Sequence, residues 1–144
     1  GYSIQKLGLP EYADKLRIVC SKKSHFTVQK SASWMGLGEK AILAVDANAD
    51  GTMDVSKLDA VIEQAKAEGL IPFAIVGTAG TTGAGAIDYL TEIGKISKAN
   101  QLWFHVDAAY GGGALVADSV RHLFNGIEKA DSITKEKRGF RKCR

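Results

Sequence analysis

Apolar residues along this chain gather into five short runs, at about residues 16–20, 41–45, 72–77, 102–106 and 131–134, the last being the weakest. Runs of that length, bounded by polar residues, Gly or Pro, are the pattern of buried strands. Between them the apolar spacing widens to three and four. Val28, Ala32 and Met35 share one helical face, and Val55, Leu58, Val61, Ile62 and Ala65 share another, the clearest period in the sequence. Ile87, Leu90, Ile93 and Ile96 predict a third helix, and residues 118–128 a fourth. Strand and helix alternate from end to end, with crossovers long enough to hold a helix. The predicted architecture is therefore α/β, a largely parallel sheet covered by helices on both faces.

Composition narrows the class without changing that picture. The 144 residues are 45% hydrophobic and 24% charged, ordinary for one globular domain with a core, and they exclude disordered and collagen-like chains. The formal charge of +3 is unevenly placed. Residues 135–144 hold six Lys/Arg against one Glu, whereas the first 134 residues hold thirteen Lys/Arg against fifteen Asp/Glu. The basicity belongs to a tail, which reads as a solvated end and makes nucleic acid an unexpected partner. Two cysteines, Cys20 and Cys143, show no metal-ligand spacing with His25, His105 and His122, so no metal is expected and a reducing cytoplasm is the expected location. No apolar run approaches the roughly 20 residues that span a bilayer, and no signal-peptide pattern opens the chain.

Candidate chemistry concentrates at the predicted strand ends. The stretch Trp103-Phe104-His105-Val106-Asp107-Ala108-Ala109-Tyr110-Gly111-Gly112-Gly113 reads as a buried strand that delivers Asp107 onto a glycine-rich turn. In open α/β sheets ligands bind at the carboxyl ends of strands, and a carboxylate there needs a cationic or hydrogen-bonding partner. His105 shares Asp107's strand face and reads as structural. Residues 77–85 (GTAGTTGAG) form a second strand-to-helix turn whose amides and hydroxyls suit an anion or a ligand's polar edge. That loop equally suits a simple bend, and its sequence is neither a Walker loop nor a dinucleotide fingerprint. His25 opens a helix at the same level, as a cap or as a site residue. Residues 46–54 (DANADGTMD) imitate the first nine positions of an EF-hand loop, but the twelfth position is Lys57, a cation where calcium requires a bidentate carboxylate. A strand-to-helix turn capped by Asp54 is the expected structure there. Arg121 and His122 read as polar groups at the start of the fourth helix.

Taken in order, His25, then Gly80-Thr81-Thr82 with Asp88, then His105-Val106-Asp107-Ala108-Ala109-Tyr110-Gly111, then Arg121-His122 with Asn125-Gly126 and Ala130-Asp131-Ser132, the chain resembles the group II amino-acid decarboxylases. These are pyridoxal-phosphate enzymes of the aspartate-aminotransferase fold (fold type I), and residues 1–80 look most similar to the bacterial diaminobutyrate decarboxylases. The resemblance covers residues 1–134, which it marks as part of the cofactor-binding large domain, and it implies pyridoxal 5'-phosphate, a small amino-acid substrate and a homodimer in the intact enzyme. It also implies roles. Asp107 would pair with the pyridine nitrogen, keeping it protonated so that the ring acts as an electron sink. His25 would stack on the ring, Ala109 would pack on its opposite face, Thr82 would hydrogen-bond near the ring or substrate, and Asp88 would support this polar layer.

The sequence also departs from the family. After Asp-Ser the family runs to a His-Lys pair whose lysine carries the cofactor; the matching positions here are Arg138 and Gly139. Lys135 and Lys137 lie off register, so the expectation is a truncated or frame-changed end on a piece of a larger enzyme, inactive alone. The competing expectations are another fold-type I pyridoxal-phosphate enzyme, such as a transaminase or lyase, and a non-catalytic relic.

Overall fold

The computed structural model describes residues 4–135. Arg138, Gly139, Lys137 and Cys143 lie outside the described residues. Five strands form one sheet: β1 (Leu16–Ser21), β2 (Ile42–Val45), β3 (Ile71–Thr78), β4 (Trp103–Asp107) and β5 (Ser132–Thr134). All neighbouring strands pair in parallel, in the order β2-β1-β3-β4-β5. Each of the five predicted strands is present. The register shifts between Arg17 and Ile18, opposite Pro72, whose missing N–H cannot serve a regular ladder.

Five α-helices accompany the sheet: α1 (Ile4–Leu7), α2 (Thr27–Trp34), α3 (Leu58–Ala67), α4 (Leu90–Ala99) and α5 (Asp118–Arg121). The larger core lies on the α3/α4 face, where Val19, Ile75, Phe104 and Val106 from the strands meet Leu58, Ile62, Leu90 and Ile93. The smaller core lies on the other face, where Ile18, Cys20, Ala74 and Val76 meet Ala32 of α2.

Helices lie on both faces, as expected, and on the second face, where α2 packs on β1 and β3, Trp103 of β4 is left 54% exposed. Crossover handedness explains this. The step from β1 to β2 runs one way along the sheet, while the steps to β3, β4 and β5 all run the other way. With one hand throughout, a single crossover (α2) falls on this face and all the rest on the other. One expectation needs correction: the predicted fourth helix is broken, into α5 and short 3-10 turns at His122–Phe124 and Ile127–Lys129. Gly126, at φ +98°, passes so close to α4 that a Cβ there would lie 2.2 Å from the Thr91 amide nitrogen. A continuous helix would not fit that approach.

Phe104 is fully buried, and its ring lies against Gly77 and Gly94, where added Cβ atoms would meet it at 3.3 and 3.4 Å. Phe104→Ala is expected to cost about 3–5 kcal/mol of stability, read from the urea midpoint of the chain.

Candidate active site

The strand order reverses between β1 and β3, because the chain leaves β1 toward β2 on one side and later places β3 on the other. Loops leaving the carboxyl ends of two such strands diverge and open a crevice. A cleft of about 1270 Å³ lies there and extends along the α2 face of the sheet. Its lining includes His25, Thr78, Thr82, Asp107 and Ala109, so four of the five predicted site residues come together.

His25 reaches the cleft on the turn that joins β1 to α2. Its Nδ1 lies 2.9 Å from the Thr27 hydroxyl and accepts the Thr27 main-chain N–H at 3.4 Å. An amide can only donate, so Nδ1 is the acceptor and the neutral ring carries its proton on Nε2.

The loop after β3 is closed on itself. Gly80 and Thr81 both donate their N–H groups to the Ala86 carbonyl, Gly85 N–H donates to Thr81 O, and Ala86 N–H donates to the Thr81 hydroxyl. Those four amides are consumed inside the loop, so the open anion cradle that the sequence suggested is not formed from them. None of these bonds uses Thr82. Gly80 packs on Gly111 of the turn after β4, and a Cβ on Gly111 would sit 2.2 Å from the Ala79 carbonyl oxygen.

Asp107 ends β4, half-buried, with Oδ1 accepting the Ala109 N–H at 3.1 Å. Below it, His105 Nδ1 lies 2.8 Å from the Ser132 hydroxyl and Nε2 lies 3.2 Å from the Thr134 hydroxyl, while Trp103 Nε1–H donates to Ser132. Burial pushes His105 below its usual pKa, against the opposing pull of Asp107. It belongs to a structural bridge between β4 and β5, as its strand position suggested.

Asp88 is absent from the cleft wall. It is 2% exposed and lies beneath the wall, where one carboxylate oxygen accepts Thr78 N–H at 2.7 Å and the other accepts Met53 N–H at 2.6 Å. Its own N–H donates to the Thr78 carbonyl at 2.9 Å. Met53 belongs to the 46–54 segment, a tight turn closed by the Ala47–Met53 bridge. Asp54 accepts from Ser56 N–H at the start of the following helical turn, as expected. Lys57, in the position where calcium needs its last carboxylate, pairs instead with Asp46 at 2.8 Å. Lys22 and Lys57 together hold that carboxyl down at about 2.

Sequence reasoning missed Thr78. It is 5% exposed, lines the cleft, and its hydroxyl has no hydrogen-bond partner among the described residues. A buried hydroxyl left unpaired costs about 1–3 kcal/mol. Its signal in the sequence was a single polar residue closing an apolar run. An open cleft whose floor carries an unpaired buried donor beside a carboxylate with one main-chain bond fits a planar ligand with a cationic ring nitrogen. Asp107 would hold that nitrogen, and His25 and Ala109 would bound the ring.

Comparison with known proteins accords with this geometry. Residues 5–139 match the family model described as the pyridoxal-dependent decarboxylase conserved domain, and the chain belongs to that family. It is 40% identical over 134 residues to L-2,4-diaminobutyrate decarboxylase of Acinetobacter baumannii, covering 92% of this chain and 26% of that protein. It is 42% identical over 118 residues to human cysteine sulfinic acid decarboxylase, covering 82% and 24%. The crystal structure of the glutamate decarboxylase domain of diaminobutyrate-pyruvate transaminase and L-2,4-diaminobutyrate decarboxylase from Vibrio parahaemolyticus superposes with a TM-score of 0.91 at 70% identity, over 94% of this chain and 29% of that one. The parallel sheet flanked by helices is thus the α/β fold of this family. The chain spans about a quarter of the length of the curated relatives it matches. No helix among the described residues is long and apolar enough to cross a membrane.

Burial sets the behaviour of Asp88, raising its pKa against the lowering effect of its two main-chain hydrogen bonds. The folded state therefore holds this proton more tightly than the unfolded chain does. The resulting stabilisation is full below the pH where an unfolded aspartate titrates, near 4, and is lost as pH rises through the elevated folded value. The stability advantage of the wild type over Asp88→Asn, measured by urea unfolding, is expected to be largest in acid and to shrink as pH rises.

Proposed function

We propose that this chain is the cofactor-ring-binding part of a pyridoxal-phosphate-dependent decarboxylase that releases carbon dioxide from an L-amino acid and leaves the amine. The observation that carries the reading is Asp107, standing at the carboxyl end of β4 in a cleft it shares with His25, Thr82 and Ala109. Pyridoxal phosphate, when bound, supplies an electron sink for the pair left behind by the departing carboxyl group. The protein's part is positioning and electrostatics. Asp107 would hold a proton on the ring nitrogen, since an adjacent anion favours the charged form. His25, oriented by Thr27, would lie against one face of the ring with its Nε2–H available to a carboxylate, and Ala109 would bound the other face. Thr82 supplies a hydroxyl at the rim, and Asp88 acts from beneath by fixing Thr78.

The whole protein is proposed to be a cytoplasmic homodimer, with residues 1–134 contributing to its large domain and the basic end departing from the family at the His-Lys positions, although the family match runs to residue 139. Because Gly139 stands where the family places its cofactor-linking lysine, the 144-residue chain on its own is proposed to bind the cofactor without turning over substrate. Lys135 does not replace that lysine. It stands outside the cleft lining and runs against Gly112, 3.4 Å from where a Cβ would lie.

Titration of the chain with pyridoxal phosphate is expected to give a saturable absorbance change that Asp107→Ala weakens by at least roughly tenfold, the effect of losing a charge-assisted hydrogen bond. Borohydride reduction of the mixture is expected to leave no stoichiometric pyridoxyl adduct. An adduct on Lys135 or Lys137 detected by mass spectrometry would refute the missing-lysine reading, and a flat titration would refute cofactor binding itself.

A further inference from the structure

Two cleft-lining residues, Ser24 and Thr78, have buried hydroxyls without a partner among the described residues, and of these Thr78 is the one that stands in register with Asp107. Asp88 takes the Thr78 N–H and gives an N–H to the Thr78 carbonyl, so the backbone is clamped from both sides. The remaining freedom is rotation about a single side-chain torsion, which for a β-branched residue means a choice among staggered rotamers. Thr78 is the register partner of Asp107 in the β3–β4 pair, and both residues line the cleft. Neighbouring parallel strands lie about 4.8 Å apart, so a threonine hydroxyl and an aspartate carboxylate in register are within reach of one rotamer change. Asp107 uses Oδ1 for the Ala109 amide, which leaves Oδ2 to be shared between a ligand and a neighbouring donor.

We infer that Thr78 is a positioning residue: in the ligand-bound site its hydroxyl donates to the Asp107 carboxylate and fixes the plane in which that carboxylate meets the ring nitrogen. The inference rests on the reading of the cleft as a pyridoxal-phosphate site. It explains why the fold keeps a buried hydroxyl unpaired at this place. A donor reserved for the bound state costs stability before binding and returns it afterwards, which favours a defined carboxylate orientation over a mobile one.

The test uses the 144-residue chain as wild type, Thr78→Val and Thr78→Ser. It measures urea midpoints without ligand and dissociation constants for pyridoxal phosphate and for its analogue in which carbon replaces the ring nitrogen. Thr78→Val keeps the shape and removes an unpaired hydroxyl, so its ligand-free midpoint is expected to equal or exceed that of the wild type. Its affinity for pyridoxal phosphate is expected to fall roughly tenfold, with Thr78→Ser restoring it, while affinity for the carbon analogue stays within about twofold. A lowered midpoint in Thr78→Val, an unchanged affinity for pyridoxal phosphate, or an equal loss for both ligands would overturn the inference while leaving the cofactor site standing. A wild-type chain that binds no pyridoxal phosphate overturns both.

Discussion

The buried carboxylate of Asp88 holds three parts of this molecule in one arrangement. One oxygen ties the 46–54 turn through Met53, the other ties the end of β3 through Thr78, and its main chain closes the loop that carries Thr82. A charge-bearing group at 2% exposure is expensive, and two main-chain donors only partly offset the cost, which is why its pKa rises rather than falls. The return is geometric. A backbone amide bonded to a fixed carboxylate cannot drift as one bonded to water can, so the position of the cleft floor is set by a residue that never reaches the cleft.

The place of the cleft follows from topology before any side chain is considered. One crossover to the left of β1 and three to the right, all of one hand, leave a single crossover helix on one face among the described residues and open the loops between β1 and β3. The cleft-side residues then follow from strand parity. Trp103, His105 and Asp107 alternate with Phe104 and Val106, so the polar members of β4 meet the cleft while the apolar members enter the larger core. A one-residue slip would bury Asp107 and expose Phe104, an exchange costly in both directions. The hydrophobic core thus enforces the register of the site.

Much of this was legible in the sequence because it depends on local periodicity. The five apolar runs became strands, and the Val55 to Ala65 period became α3 with its leading turn. Asp107 and His25 stood out because each lies at a strand end or helix start, whereas Thr82 and Ala109 entered through the family resemblance; all four line one cleft. What was missed depends on long-range partners. The 118–128 segment has helical spacing, and only its approach to α4 at Gly126 shows why the helix breaks. Asp88 entered only through the resemblance, as support for the polar layer, because its two donors, Met53 and Thr78, lie 35 and 10 residues away. Helices on both sheet faces follow from alternation, whereas the face on which each helix lands depends on the direction of its crossover.

The two glycine turns show how the site is kept together once its parts are placed. Gly80 and Gly111 approach so closely that a Cβ on the first would lie 2.7 Å from the Cα of the second. Side chains at this joint would force apart the loop bearing Thr82 and the turn bearing Ala109. With hydrogen atoms alone in the gap, the Ala79 N–H can reach the Asp107 carbonyl at 2.8 Å, extending the β3–β4 ladder past the last paired residues. That bond continues the sheet into the site itself. Thr78 and Asp107 are therefore neighbours on a continuous ladder rather than on two free loops, and the distance between hydroxyl and carboxylate is governed by strand spacing, the least deformable dimension in the fold.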